Sequence, residues 1–109
     1  MQPWFWLSIA VIAEVFATMS LKASDGLTKI YQVFIVIIGY SIAFIALAKV
    51  LQVLPVAIIY AIWSGLGIAL VALAGWFFFE EKLGFTEIIG IFLIIIGIAV
   101  LKGFSSDLN

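Results

Sequence analysis

Cysteine, histidine and arginine are absent from this chain, and proline occurs only as Pro3 and Pro55. With no thiol and no imidazole, disulfides and the usual thiolate or imidazole metal sites are excluded. Charge is scarce too: five lysines and six carboxylates make up 10% of 109 residues, for a net charge of −1. Nothing here forms a basic surface for nucleic acid, and no such partner is expected. There is no Gly-rich phosphate loop carrying a lysine and no room for a nucleotide domain, so ATP is not the direct energy source and no cofactor or metal is expected. No nucleophile–base pair is evident, which argues against an enzyme.

What the chain has in abundance is apolar side chains, 67% by count, far more than the roughly half found in soluble domains. The apolar runs cover residues 4–21, 31–48, 53–79 and 85–104. Each is near or above the ~17–25 residues needed to cross a bilayer. The expectation is an all-α membrane protein: one domain over residues 1–109, four transmembrane helices with short loops, in contact with lipid in the cytoplasmic (inner) membrane. Turn residues separate the runs: Lys22 to Gly26, Lys49 to Pro55, and Glu80 to Gly84. Pro55 suits the first turn of the third helix, where its missing N–H would have no intrahelical partner. The first run lacks the basic flank of a signal peptide and carries Glu14 inside it, so it is read as a retained helix.

Four spans place Lys49 and Lys102 on one side of the membrane and Lys22, Lys29 and Lys82 on the other. Orientation normally follows an excess of Lys and Arg on the cytoplasmic side, so this near-equality gives little direction and is compatible with insertion both ways.

Glu14 lies near the middle of the first run. A carboxyl group at that depth costs roughly 2.5–3.5 kcal/mol on insertion scales, which calls for a role such as carrying a proton or facing a cation. On a helix its face is shared by Leu7, Ala10, Val11, Ala17, Thr18 and Leu21. The small residues among them leave room for a neighbouring helix or for a ligand, and spacing alone leaves both readings open. Tyr60, Trp63 and Ser64 share a face of the third run, Tyr40 lies mid-span in the second, and Phe44 one turn on is assigned to the same pocket. These aromatics lie deeper than the interfacial belt that Trp4, Trp6 and Tyr31 occupy. A carboxylate among aromatic faces suits organic cations, held by charge pairing and by the ring quadrupole. Gly65 and Gly67 interrupt the third run as a hinge or as a close-packing point. On the fourth run, Gly90, Ile94, Gly97 and Leu101 form a stripe that reads as a surface for association, because four short helices with one carboxylate scarcely enclose a pathway unaided.

A carboxyl that must be ionised to hold a cation, and otherwise takes a proton, makes the two ligands mutually exclusive. Competition of that kind supports exchange by alternating access. A non-transporting subunit that pairs Glu14 with a partner chain, and an ion-carrying rotor or channel component, are the readings from other classes.

The segments Ala13-Glu14-Val15 with Lys22, Ile58 to Gly67, and Gly90 to Gly97 resemble the small multidrug resistance transporters, over nearly the whole chain. The resemblance implies proton-coupled export of toxic or surplus cations by a dimer of two identical subunits in antiparallel orientation. It implies that Glu14 is the shared proton and substrate site and that Tyr40, Tyr60 and Trp63 line the pocket. Gly65 and Gly67 would lie at a bend, and Gly90 and Gly97 in the dimer contact. The guanidinium-exporting branch carries a Trp three residues after the glutamate and a Ser on the second helix, where this chain has Ala17 and Ala43. It therefore resembles more closely the branch handling quaternary ammonium and aromatic cations. Relatives that export choline or betaine, and relatives that form obligate heterodimers, are not separated from it by these residues.

Overall fold

A computed structural model describes residues 2–104. Four helices follow one another: α1 (Gln2–Ala23), α2 (Ile30–Leu51), α3 (Val56–Phe79) and α4 (Phe85–Phe104). All four are long and apolar enough to cross a membrane. At about 1.5 Å per residue, even the shortest covers roughly the 30 Å of a hydrocarbon core. The chain divides into two units, Met1–Val53 and Leu54–Asn109, each a hairpin of consecutive helices.

In the first hairpin the inward stripe of α2 is Val36, Gly39, Ala43, Ala46 and Val50, spaced three or four apart, and all are buried. On α1 the buried residues are Leu7, Ala10, Val11 and Ala17. The helices come closest at Gly39, where an added Cβ would lie 2.8 Å from the Ala17 Cβ and 3.2 Å from the Ala13 carbonyl oxygen. At the other end the Lys49 ammonium sits 5.3 Å from the centroid of the Trp6 ring, joining the start of α1 to the end of α2.

Ser24 organises the connection between α1 and α2. Its hydroxyl donates to the Leu21 carbonyl (2.7 Å) and accepts from the Leu27 N–H (2.9 Å), while its carbonyl accepts from the Thr28 and Lys29 N–H groups. Asp25, Gly26 and Leu27 all take positive φ, so the reversal is left-handed over three residues.

The helix ends differ from the sequence-based spans in two instructive ways. Helices α1 and α2 run two or three residues past the expected ends, because Lys22 and Lys49 in their last turns are compatible with a helix terminus and interact well with its dipole. Helix α3 starts at Val56, later than the expected residue 53, and Pro55 is its N-cap (φ −64°, ψ 140°), outside the first turn. The residue before a proline is driven away from helical geometry, so Leu54 cannot begin the helix. The N–H of Ile59 then bonds the Pro55 carbonyl at 3.1 Å.

In the second hairpin the half-buried positions of α4 are Gly90, Ile91, Ile94, Ile98 and Leu101, one stripe along the helix. Ile94 and Ile98 lie over Gly65 of α3, where an added Cβ would fall 2.8 Å from Ile98 Cδ1 and 3.0 Å from Ile94 Cγ2. Helix α3 closes on Glu80 in a left-handed conformation (φ 57°), with the Glu81 N–H reaching the Gly75 carbonyl at 3.2 Å. At the start of α4 the Ile88 N–H bonds the Gly84 carbonyl, and the Glu87 carboxylate folds back over Gly84, a favourable place for negative charge.

Candidate functional site

Glu14 and Thr18 are one turn apart on α1, which brings their side chains together. The Thr18 hydroxyl donates to Glu14 Oε2 at 2.6 Å, and its oxygen lies 2.7 Å from the Tyr40 hydroxyl of α2. Three polar groups are thus chained across two helices in an otherwise apolar setting. All three residues are half-buried. The close seam of Ala17 against Gly39 sets this up, because Thr18 and Tyr40 are the next residues on each helix. A larger side chain at either seam position would separate the two hydroxyls.

Of the small residues around Glu14, Ala17 belongs to that seam, and Ala10 and Leu7 are buried with it. Ala43 is fully buried on the inward stripe of α2, so that position offers no hydrogen-bonding group beside Tyr40. Phe44 stacks on Tyr40 with ring centroids 6.4 Å apart and is itself largely exposed. The polar chain is therefore flanked by an aromatic pair.

On α3, Tyr60 and Trp63 pack ring against ring at 5.7 Å with a 52° tilt. Trp63 is buried and Ser64 half-buried, whereas Tyr60 is 59% exposed. Helix α3 runs unbroken through Gly65 and Gly67, both buried. Gly65 is the point at which Ile94 and Ile98 approach, so its lack of a side chain serves close packing within this hairpin. The expected association stripe on α4 divides accordingly. Ile94 is engaged inside the chain, whereas a Cβ added at Gly90 or Gly97 would meet nothing within 4 Å among the described residues.

Gly39 is a functional position that the sequence alone does not single out. Glycine is common in membrane helices, so Gly39 gave little signal by itself. Its position next to Tyr40 and in register with the buried stripe through Val36 and Ala43 is the pattern that would have found it.

Among the described residues no group of three or more acidic, histidine or cysteine side chains could hold a metal ion. The chemistry available is that of one carboxylate. Oε2 accepts from Thr18, and a carboxylate has further lone pairs with which it can accept.

The Small Multidrug Resistance protein family matches residues 2–94. The chain is 45% identical over 102 residues to the quaternary ammonium compound-resistance protein QacF of Klebsiella aerogenes, covering 94% of this chain and 93% of the relative. It is 46% identical over 105 residues to a multidrug transporter of Pseudomonas aeruginosa, covering 96% of each. To the multidrug transporter EmrE of Escherichia coli it is 41% identical over 102 residues, covering 94% of this chain and 93% of the relative. With four membrane-spanning helices and a family match over most of its length, the chain belongs to the small multidrug resistance family, whose members are multi-pass inner-membrane transporters and not enzymes.

Proposed function

We propose that this protein exports quaternary ammonium and hydrophobic or aromatic organic cations in exchange for protons, with Glu14 as the site both ligands share. The observation that carries this reading is a lone carboxylate within a membrane-spanning helix, held by a hydroxyl and flanked by the Tyr40–Phe44 aromatic pair. An ionised Glu14 attracts a cation and the ring faces add quadrupole attraction. A protonated Glu14 has neither charge nor reason to hold the cation. If the protein switches its open side only with the site occupied, protons moving inward drive cations outward.

Tyr60, Trp63 and Ser64 are proposed to contribute the remaining aromatic and hydroxyl groups of the pocket, and Gly65 and Gly67 to lie where α3 flexes. The relatives named for quaternary ammonium resistance and multidrug transport support the substrate class.

The working unit is proposed to be an antiparallel homodimer. The nearly even division of lysines supports insertion in both orientations. Gly90 and Gly97 support close approach by another copy, since no neighbour among the described residues would meet a side chain at either position.

The test is transport by the purified protein in vesicles with an imposed pH gradient. Tetraphenylphosphonium should accumulate against its own gradient on the more acidic side and stop doing so when the pH gradient is collapsed. Glu14→Gln should abolish this movement. Coupled transport retained by that variant overturns the proposal.

A further inference from the structure

We infer that Thr18 is a positioning residue that stabilises ionised Glu14, and that Tyr40 acts on Glu14 through the Thr18 hydroxyl. This rests on the reading of Glu14 as the shared site and deepens it. The Thr18 oxygen is within hydrogen-bond distance of both Glu14 Oε2 (2.6 Å) and the Tyr40 hydroxyl (2.7 Å). Threonine has a single hydroxyl hydrogen. A carboxylate only accepts, so with Glu14 ionised the Thr18 hydrogen must point to Oε2. Tyr40 must then donate to Thr18.

A proton arriving on Oε2 reverses the order. The Glu14 hydroxyl donates to Thr18, Thr18 donates to Tyr40, and the Tyr40 hydrogen is released toward another acceptor. No covalent bond beyond the protonation of Glu14 changes, and each gap holds one hydrogen in both states. Where the proton sits on Oε2, the direction of a hydroxyl on α2 is tied to the charge on α1. The other titratable side chains of α1 and α2 are Lys22, two turns further along α1, and Tyr31 and Lys49 near the ends of α2. Tyr40 is the one linked to Glu14 through Thr18.

The experiment is the pH profile of tetraphenylphosphonium binding by the purified protein for wild type, Thr18→Val, Thr18→Ser, Tyr40→Phe, the Thr18→Val/Tyr40→Phe double variant and Glu14→Gln. A hydrogen bond to the carboxylate favours the form that binds cation, so removing it makes binding set in at higher pH. Thr18→Val should move the onset of binding to higher pH, because a hydroxyl bonds an ionised carboxylate more strongly than a protonated one. Tyr40→Phe should shift it the same way by less, the double variant should match Thr18→Val alone, and Thr18→Ser should lie nearer wild type.

An unmoved midpoint in folded Thr18→Val, or a Tyr40→Phe shift that persists undiminished in the double variant, overturns the relay. Should Thr18→Val not fold, Tyr40→Phe decides: a uniform loss of affinity at every pH, with no change of midpoint, makes Tyr40 a substrate contact only and overturns the relay as well. Absence of wild-type binding, or undiminished binding by Glu14→Gln, overturns the functional reading and the relay with it. Binding that depends on Glu14 but keeps its midpoint in Thr18→Val overturns the relay alone.

Discussion

Gly39 backs onto Ala17 so closely that a Cβ on the glycine would lie 2.8 Å from the alanine Cβ. This contact fixes the register of α1 against α2, and so determines that Tyr40 faces Thr18 and not another turn of the helix. A structural contact between two residues without polar side chains thus sets the geometry of the polar site beside it.

The contact makes a two-way prediction. Gly39→Ala gains roughly 1 kcal/mol in helix propensity but loses about 1–3 kcal/mol to overpacking, so the net effect is destabilisation. Ala17→Gly in the same chain should return part of the lost stability, because it empties the space the new methyl needs. Thermal unfolding in detergent of the two single variants and the double variant measures the coupling. Strictly additive effects would contradict the close approach.

Glu80 ends α3 in a left-handed conformation that an L-residue adopts at a cost of roughly 1–2 kcal/mol. Glycine carries no such cost. Glu80→Gly should therefore raise the Tm in detergent, corresponding to a gain of about 1 kcal/mol. A lowered Tm would mean that the glutamate side chain contributes more than its backbone strain removes.

Among the described residues nothing lies within 4 Å of where a Gly97 side chain would project. Gly97→Val should leave the helical content of the chain unchanged while reducing chemical cross-linking between copies and lowering transport in parallel. Normal cross-linking by this variant would remove α4 from the proposed dimer contact at that position.

Much of this was legible in the sequence because bilayer thickness is a strong constraint. The bounds of α4 coincide with its apolar run, and Glu14 stands out in an apolar helix by chemistry alone. The pairing of Glu14 with Thr18 follows from their spacing on one helix. The link to Tyr40 does not, since it depends on inter-helix register, which a seven-residue shift along either helix would also satisfy in pattern. Lysines near helix ends suggest stops in the sequence, although a helix C-terminus accommodates them well. Pro55 caps α3 just outside its first turn, because its effect on the preceding residue outweighs its own tolerance for a first turn. Gly65 and Gly67 stand out in the sequence as a pair, while Gly39, alone among large apolar residues, does not.

The near-even lysines carry one more expectation. Replacing Gln2 and Gln52 with lysine puts two more positive charges on the side that holds Lys49 and Lys102, which should hold nearly all copies in one orientation. Resistance to quaternary ammonium compounds should then fall in cells expressing this variant alone. It should return when a copy biased the opposite way is co-expressed. Full resistance from the single biased variant would argue against antiparallel assembly.

Binding of tetraphenylphosphonium by the purified protein across roughly pH 5 to 9, with Glu14→Gln alongside, tests the shared site most directly. The account predicts binding that strengthens as pH rises, proton release on cation binding, and loss of both in the variant. Binding that is independent of pH, or that survives the loss of the Glu14 carboxylate, would contradict it.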